Sequence, residues 1–361
     1  MVSPSKRKKV KRRKRYLSFK EWIKAILIAF VLIGLIKTFW FDFYSVYSTS
    51  MEKTLIPGDV VLVNKFRYGP RLPMTLLTVP FTHQFIPGTN KRSFLEFGAL
   101  PYRRLFLNQP KRGDIILFNY PRDQHFPIDH RTFFVKRCAG LPGDTLSILN
   151  KGIYIGDSLI HFTDNIMFEC KVQFVQNLTI DWKFLNTYGI TDGGRIDQSN
   201  NTWLLSISKK MIDSLYQFDG LVNLTPVQKE DPDPEVIFPH HDLNYWNLDF
   251  YGPIYIPKKG DTIKMNYQTL QLYNQVITDY EHETLQESDS MIYLNGEPCD
   301  TYVFKNNYYF VLGDNRHNSS DSRFWGFVPE SHIIGQINYI FFSLHTNKTN
   351  SKEKRFLKKI I

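Results

Sequence analysis

At 361 residues with 42% hydrophobic side chains, the chain is long enough to bury one large core or two smaller ones. Its formal charge of +10 would suit a nucleic-acid binder if it were spread over a folded surface. Eleven of the 45 basic side chains instead lie in residues 1–24 against the single acid Glu21, so the rest balances at 34 to 34 and no nucleic-acid partner is indicated.

Behind the basic arm of residues 1–21, Ala25 to Ile36 is apolar without interruption. Lys24 and Lys37 stand near its ends, where long stems carry an ammonium group out to lipid headgroups, so a transmembrane helix is predicted over 22–43. Trp22, Trp40, Phe41, Phe43 and Tyr44 supply interfacial aromatics, and roughly 20 residues at 1.5 Å each cross the hydrocarbon. Lys37-Thr38-Phe39-Trp40-Phe41 offers no small-residue cleavage site, so the segment is expected to remain as an anchor in the lipid bilayer. The basic arm predicts a cytoplasmic amino terminus with everything after Phe43 on the far side.

From Tyr44 onward, short runs rich in Val, Ile, Tyr and Phe are broken by Gly, Pro and Asp, which predicts a mainly β protein. Gly58-Asp59, Gly113-Asp114, Gly143-Asp144 and Gly260-Asp261 each precede an apolar-rich run and read as turns that feed strands. A catalytic core is expected in two parts, 44–149 and 291–345, separated by an inserted domain over 150–290 where the pattern weakens. Within it Tyr267 to His282 is amphipathic and predicts a helix; Met291 to Phe304, Tyr308 to Leu312 and Ile333 to Leu344 read as strands. The last stretch, 346–361, is basic and reads as a solvated, disordered tail.

Three cysteines, Cys138, Cys170 and Cys299, make no disulfide framework, and no Cys-x-x-Cys calls for zinc. Neither a cofactor nor a metal is called for. A nucleophilic serine needs a base to take its proton, and the usual histidine partner is not indicated. Gly-x-Ser-x-Gly is absent, Asp129-His130 and His240-His241-Asp242 read as surface loops, and His282-Glu283-Thr284-Leu285-Gln286 lacks the second histidine of a zinc protease.

Lysine can replace histidine where burial lowers its pKa by several units. If Phe133 to Cys138 is a strand, Phe134, Lys136 and Cys138 share one face and Phe133, Val135 and Arg137 the other. Lys136 then stands between two apolar side chains, whereas an ordinary edge lysine would snorkel into water. Ser50, in Ser48-Thr49-Ser50-Met51, lies seven residues past Phe43, within about 25 Å of the membrane boundary. Ser50-Met51-Glu52-Lys53 also fits the Ser-x-x-Lys pattern of β-lactamases and penicillin-binding proteins and makes Lys53 a rival base, although Pro57-Gly58 leaves room for only about one helical turn.

Together these stretches resemble the type I signal peptidases. Ser50-Met51 with Thr54-Leu55 and Pro57-Gly58-Asp59 is similar to their nucleophile box, and Lys136-Arg137 through Gly140-Leu141-Pro142-Gly143-Asp144 to their lysine box. Gly313-Asp314-Asn315-Arg316-His317-Asn318-Ser319-Ser320-Asp321-Ser322-Arg323 resembles the last box. The resemblance implies a signal-peptidase-like β-fold preceded by one transmembrane helix, with Ser50 as nucleophile and Lys136 as general base. Ser48 would add a hydroxyl to the oxyanion hole, Ser319 would orient the Lys136 amine, and Met51 would lie beside the S1 pocket. Asp321 with Arg323, and Asp314 with Arg137, would be supporting ion pairs.

Thr49 stands where Gly is common, Glu52-Lys53 replaces a residue followed by Pro, and His317 stands where Asp is frequent. The implied substrates are exported precursor proteins cut after Ala-x-Ala-type sites, and the implied location is the bacterial inner membrane with the catalytic part in the periplasm. The competing class is a non-catalytic membrane-anchored β-module.

Overall fold

The computed structural model describes residues 18–75, 77–95, 100–241, 244–288, 291–344 and 355–360. Its first element is a helix, Phe19–Phe39, started by a capping box in which Ser18 and Glu21 exchange side-chain and backbone hydrogen bonds. Its 21 residues span about 31 Å at 1.5 Å per residue, enough to cross a bilayer, and none of them is buried by protein. The helix stops four residues short of the predicted end at 43, because Phe41–Ser45 leaves as an edge strand of the main sheet.

That sheet runs Phe41–Ser45, Asp59–Asn64, Ile333–Ser343, Ile115–Asn119, Phe133–Gly140, Tyr308–Leu312 and Val328–Pro329, with every pairing antiparallel. Ile115–Asn119 and Tyr308–Leu312 are buried at every residue, which is why they read as unbroken apolar runs rather than alternating ones. They flank Phe133–Gly140, whose two faces enter different cores: Phe134 and Cys138 join Tyr68, Ile116 and Val311, while Phe133 and Val135 join Val46, Met51 and Val61. The period-2 split expected across Lys136 is present.

The Gly-Asp turns follow one plan. Gly58, Gly113, Gly143 and Gly260 have φ between 87° and 92°, a region costly for any residue with a Cβ. Asp59, Asp114 and Asp144 each accept the backbone N–H three residues earlier, from Ile56 (3.0 Å), Lys111 (2.8 Å) and Leu141 (2.6 Å). The turn is thereby closed just before its strand begins.

Between residues 150 and 290 two packing arrangements occur. Gly152–Ile155, Ser158–Ile160 and Tyr251–Tyr255 form a sheet with Thr145–Leu149, and their core continues through Ala139, Phe310 and Phe327 into the main sheet. Met167–Phe174, Gly193–Asp197, Thr202–Ser208 and Leu221–Pro226 form a separate sheet. Helices Trp182–Thr187 and Lys209–Leu215 accompany it around a core of its own that includes Val172, Phe174, Leu185, Leu205 and Leu215. The amphipathic stretch is helical over Tyr267–Gln275, with Asn266 as its N-cap, and continues as a π-turn over Val276–Tyr280.

Two expectations are overturned. Residues 355–360 are ordered against the sheet: Arg355 is buried and its guanidinium grips both Asp59 oxygens at 2.6 and 3.0 Å, while Lys358–Lys359 pairs with Ile333–Ser343. A carboxylate buried at the start of a strand recruits the arginine, which composition alone cannot show. His130 is likewise buried, not at the surface, with its ring stacked 4.2 Å from Phe94.

Candidate active site

Ser50 sits in a tight turn between the first two strands, held by Glu52 N–H to Thr49 O (2.9 Å) and Leu55 N–H to Met51 O (2.7 Å). No helix forms there. Its carbonyl accepts the Asn315 N–H at 3.0 Å, which ties the turn to the loop after Tyr308–Leu312. Lys136 Nζ lies 2.7 Å from Ser50 Oγ, and Ser48 Oγ lies 3.1 Å from the same oxygen. Residues 86 positions apart in sequence thus meet.

Lys136 is 4% exposed, with the Phe134 ring 5.3 Å from its nitrogen. Burial lowers its pKa from 10.5 to about 8, against the opposing pull of Asp321 and Asp314, which favour the ammonium form. A group at 8 is neutral in about one molecule in ten at pH 7, compared with about one in 2,500 for a free lysine.

Both expected ion pairs are formed and buried. The Arg137 guanidinium holds Asp314 in a two-pronged pair at 2.8 and 2.7 Å and also donates to Gly113 O at 2.9 Å. Arg323 holds Asp321 at 2.9 Å through both of its contacts, and Asp321 accepts the Gly313 N–H at 3.0 Å. Gly313 is required on space alone, since a Cβ there would lie 2.1 Å from Ser319 Oγ and 2.6 Å from Ser50 O.

Ser319 is therefore in the site, but its hydroxyl makes no hydrogen bond to protein, so the expected contact with Lys136 is not formed. Met51, 1% exposed, packs with Val46, Leu55 and Val135 in the core and does not line the adjoining cavity. That cavity, of about 810 Å³, runs from Lys37 near the end of the Phe19–Phe39 helix past Tyr44, Val46 and Phe133 to Val135, the neighbour of Lys136.

Several contacts had no signal in the sequence. The Lys53 amine donates to the Gly189 carbonyl, and Glu52 accepts from Thr191 Oγ1 at 2.7 Å. Asp192 accepts from Asn315 Nδ2 at 3.0 Å and Asn318 Nδ2 at 2.9 Å. His317 Nδ1 accepts the Glu169 N–H at 3.0 Å, which leaves its Nε2 proton for Asp249 at 2.8 Å. Of the four positions that depart from the resembled pattern, Glu52, Lys53 and His317 touch the 150–290 region, as Asn315 and Asn318 also do. Thr54, whose hydroxyl donates to Asp314, was visible in the nucleophile box but without a partner.

The sequence profile of the family described as "Signal peptidase, peptidase S26" matches residues 19–179 and 256–342, leaving 180–255 outside. A "Signal peptidase I" of Buchnera aphidicola subsp. Baizongia pistaciae is 26% identical over 340 residues, covering 93% of this chain and 81% of that protein. One from Helicobacter pylori (strain ATCC 700392 / 26695) is 24% identical over 357 residues, covering 95% and 89%. A crystal structure of a signal peptidase I from Enterococcus faecalis covers 63% of this chain and 97% of its own at 17% identity, with a TM-score of 0.23, too loose an overlay to match side chains.

Proposed function

We propose, from the premise that this chain belongs to the signal peptidases of family S26 and is a serine endopeptidase, that it cuts signal peptides from exported precursors with Ser50 as nucleophile and Lys136 as general base. The observation that carries the reading is the 2.7 Å approach of a buried lysine nitrogen, its pKa lowered by burial, to a serine oxygen. Neutral Lys136 takes the Ser50 proton as Oγ bonds to the scissile carbonyl carbon and the carbonyl π pair moves to oxygen. The Ser50 N–H, with Ser48 rotating its hydroxyl away from Ser50 Oγ, receives that oxyanion. Collapse breaks the C–N bond, the Lys136 ammonium gives its proton to the departing amine, and water repeats the sequence on the acyl-enzyme.

An extended substrate adding beside the sheet presents alternate side chains to the cavity wall of Tyr44, Val46, Phe133 and Val135. Small residues at P1 and P3, as in Ala-x-Ala, suit that periodicity. The basic arm lies in the cytoplasm, Phe19–Phe39 crosses the inner membrane, and the sheets stand on the periplasmic side, where an emerging cleavage site is within reach. A precursor with Ala-x-Ala is expected to be processed, and its Trp variant at P1 at least about a hundredfold more slowly, as gel-based kinetics would show. Equal rates for the two would refute the subsite reading.

The pH profile has a definite sign. The active form is the neutral amine, so kcat/KM should climb about tenfold per pH unit below 8 and level off above it. A break near 6.5 would assign the base to a histidine instead.

A further inference from the structure

Away from Ser50, the region around Asp314 carries an unbalanced charge. Three buried guanidinium groups, of Arg137, Arg316 and Arg323, face two buried carboxylates, Asp314 and Asp321, and both carboxylates are taken by Arg137 and Arg323. Arg316 is 3% exposed; its Nε donates to Gly313 O at 3.0 Å, and its Nη atoms have no carboxylate partner among the described residues. Burial first, and the Arg323 charge second, lower its pKa to about 10 against the opposing pull of the Asp314 and Asp321 carboxylates, which Arg137 and Arg323 already hold. A desolvated cation without a counterion is a costly thing to build into a fold.

Arg316 also lines a cleft of about 340 Å³ between the Gly152–Ile160 hairpin and the separate sheet, at the small end of the roughly 300–1,000 Å³ typical of ligand sites. Its walls are apolar, with Ile153, Leu159, Phe168, Ile207 and Ile212 among them. Lys151 and Lys209 also line it, and Asp164, a further lining residue, is paired with His161 at 3.2 Å. From this juxtaposition we infer that the cleft binds an apolar chain ending in a carboxylate, with the carboxylate on the Arg316 guanidinium and the chain against the isoleucines. A planar guanidinium matches a carboxylate two-pronged, and the walls exclude a small hydrated anion. The same chemistry comes from a fatty-acid anion or from the carboxyl end of an apolar peptide.

The test does not pass through proteolysis. The full chain in zwitterionic lipid nanodiscs is titrated by ligand-observed NMR with octanoate, octanol and acetate, with empty nanodiscs subtracted. Saturable octanoate binding is expected, about tenfold or more tighter than either control, and weakened about tenfold or more in Arg316→Gln. Should Arg316→Gln fail to fold, Ile212→Trp fills the cleft from the Lys209–Leu215 helix and is expected to abolish binding while leaving thermal stability and precursor processing near wild type. A Leu-Ala-Leu-Ala peptide, free or amidated at its carboxyl end, distinguishes the sources: binding of the free form alone assigns a peptide end, and binding of octanoate alone assigns a fatty acid. Equal affinity for octanol and octanoate, unchanged binding in both variants, or no binding of octanoate or free peptide would overturn the inference.

Discussion

Ser50→Ala and Lys136→Met are each expected to leave a folded protein whose precursor processing falls by at least about 10⁴-fold, and the double variant should be no worse than either alone. Each removes one end of the proposed proton transfer, so once one is lost the other would have nothing to do. Loss of fold would not account for this result in Lys136→Met. The folded-state pKa of Lys136 lies below its unfolded value, so the unfolded chain binds more protons between about pH 8 and 10.5 and stability rises through that window. Below pH 8 the full penalty is present, so removing the amine at pH 7 should stabilise by up to about 3 kcal/mol. Lys53→Met supplies the contrast. Burial lowers its pKa as well, yet its amine is spent on the Gly189 carbonyl, so processing should stay within about tenfold of wild type. A collapse in Lys53→Met with survival of Lys136→Met would restore the Ser-x-x-Lys reading.

Asp314→Asn should be the most destabilising single change near the site, by about 3–5 kcal/mol in denaturant midpoint analysis, because it strands the buried Arg137 guanidinium without a counterion. The single oxygen of the asparagine must then serve both the Thr54 hydroxyl and the Arg137 fork, which two carboxylate oxygens serve now. The pair Asp314→Leu with Arg137→Met should recover much of the loss, since two apolar groups leave no unpaired charge. Recovery of stability without recovery of processing would separate the frame from the chemistry it holds.

What the sequence disclosed, and what it hid, divides along a physical line. Lys136 was legible because a charged residue interrupts apolar alternation, and the Gly-Asp turns were legible because their hydrogen bonds span three residues. The fold class followed from the same local signals, and the family profile bears it out. The far ends of the helix and the tail were missed because what stops or captures them is tertiary: the pairing of Phe41–Ser45 with Asp59–Asn64, and the Arg355 grip on Asp59. Nothing local in Gly189 or Thr191 announces that they brace a turn some 140 residues upstream, nor in Asp192 that it holds a loop more than 120 residues downstream. The strand Gly193–Asp197 beside them is largely exposed and polar, so period-2 alternation is faint there. Ser319 was placed in the right neighbourhood by resemblance, but its hydroxyl direction is a matter of packing against Gly313.

The grip of Asp314 on Arg137 and Thr54 closes a loop of 177 residues on one side and 260 on the other. A ribosome therefore delivers Ser50 and Lys136 long before the segment that fixes their alignment. Throughout that interval the nascent polypeptide holds both side chains of the proposed pair without the contact that would align them.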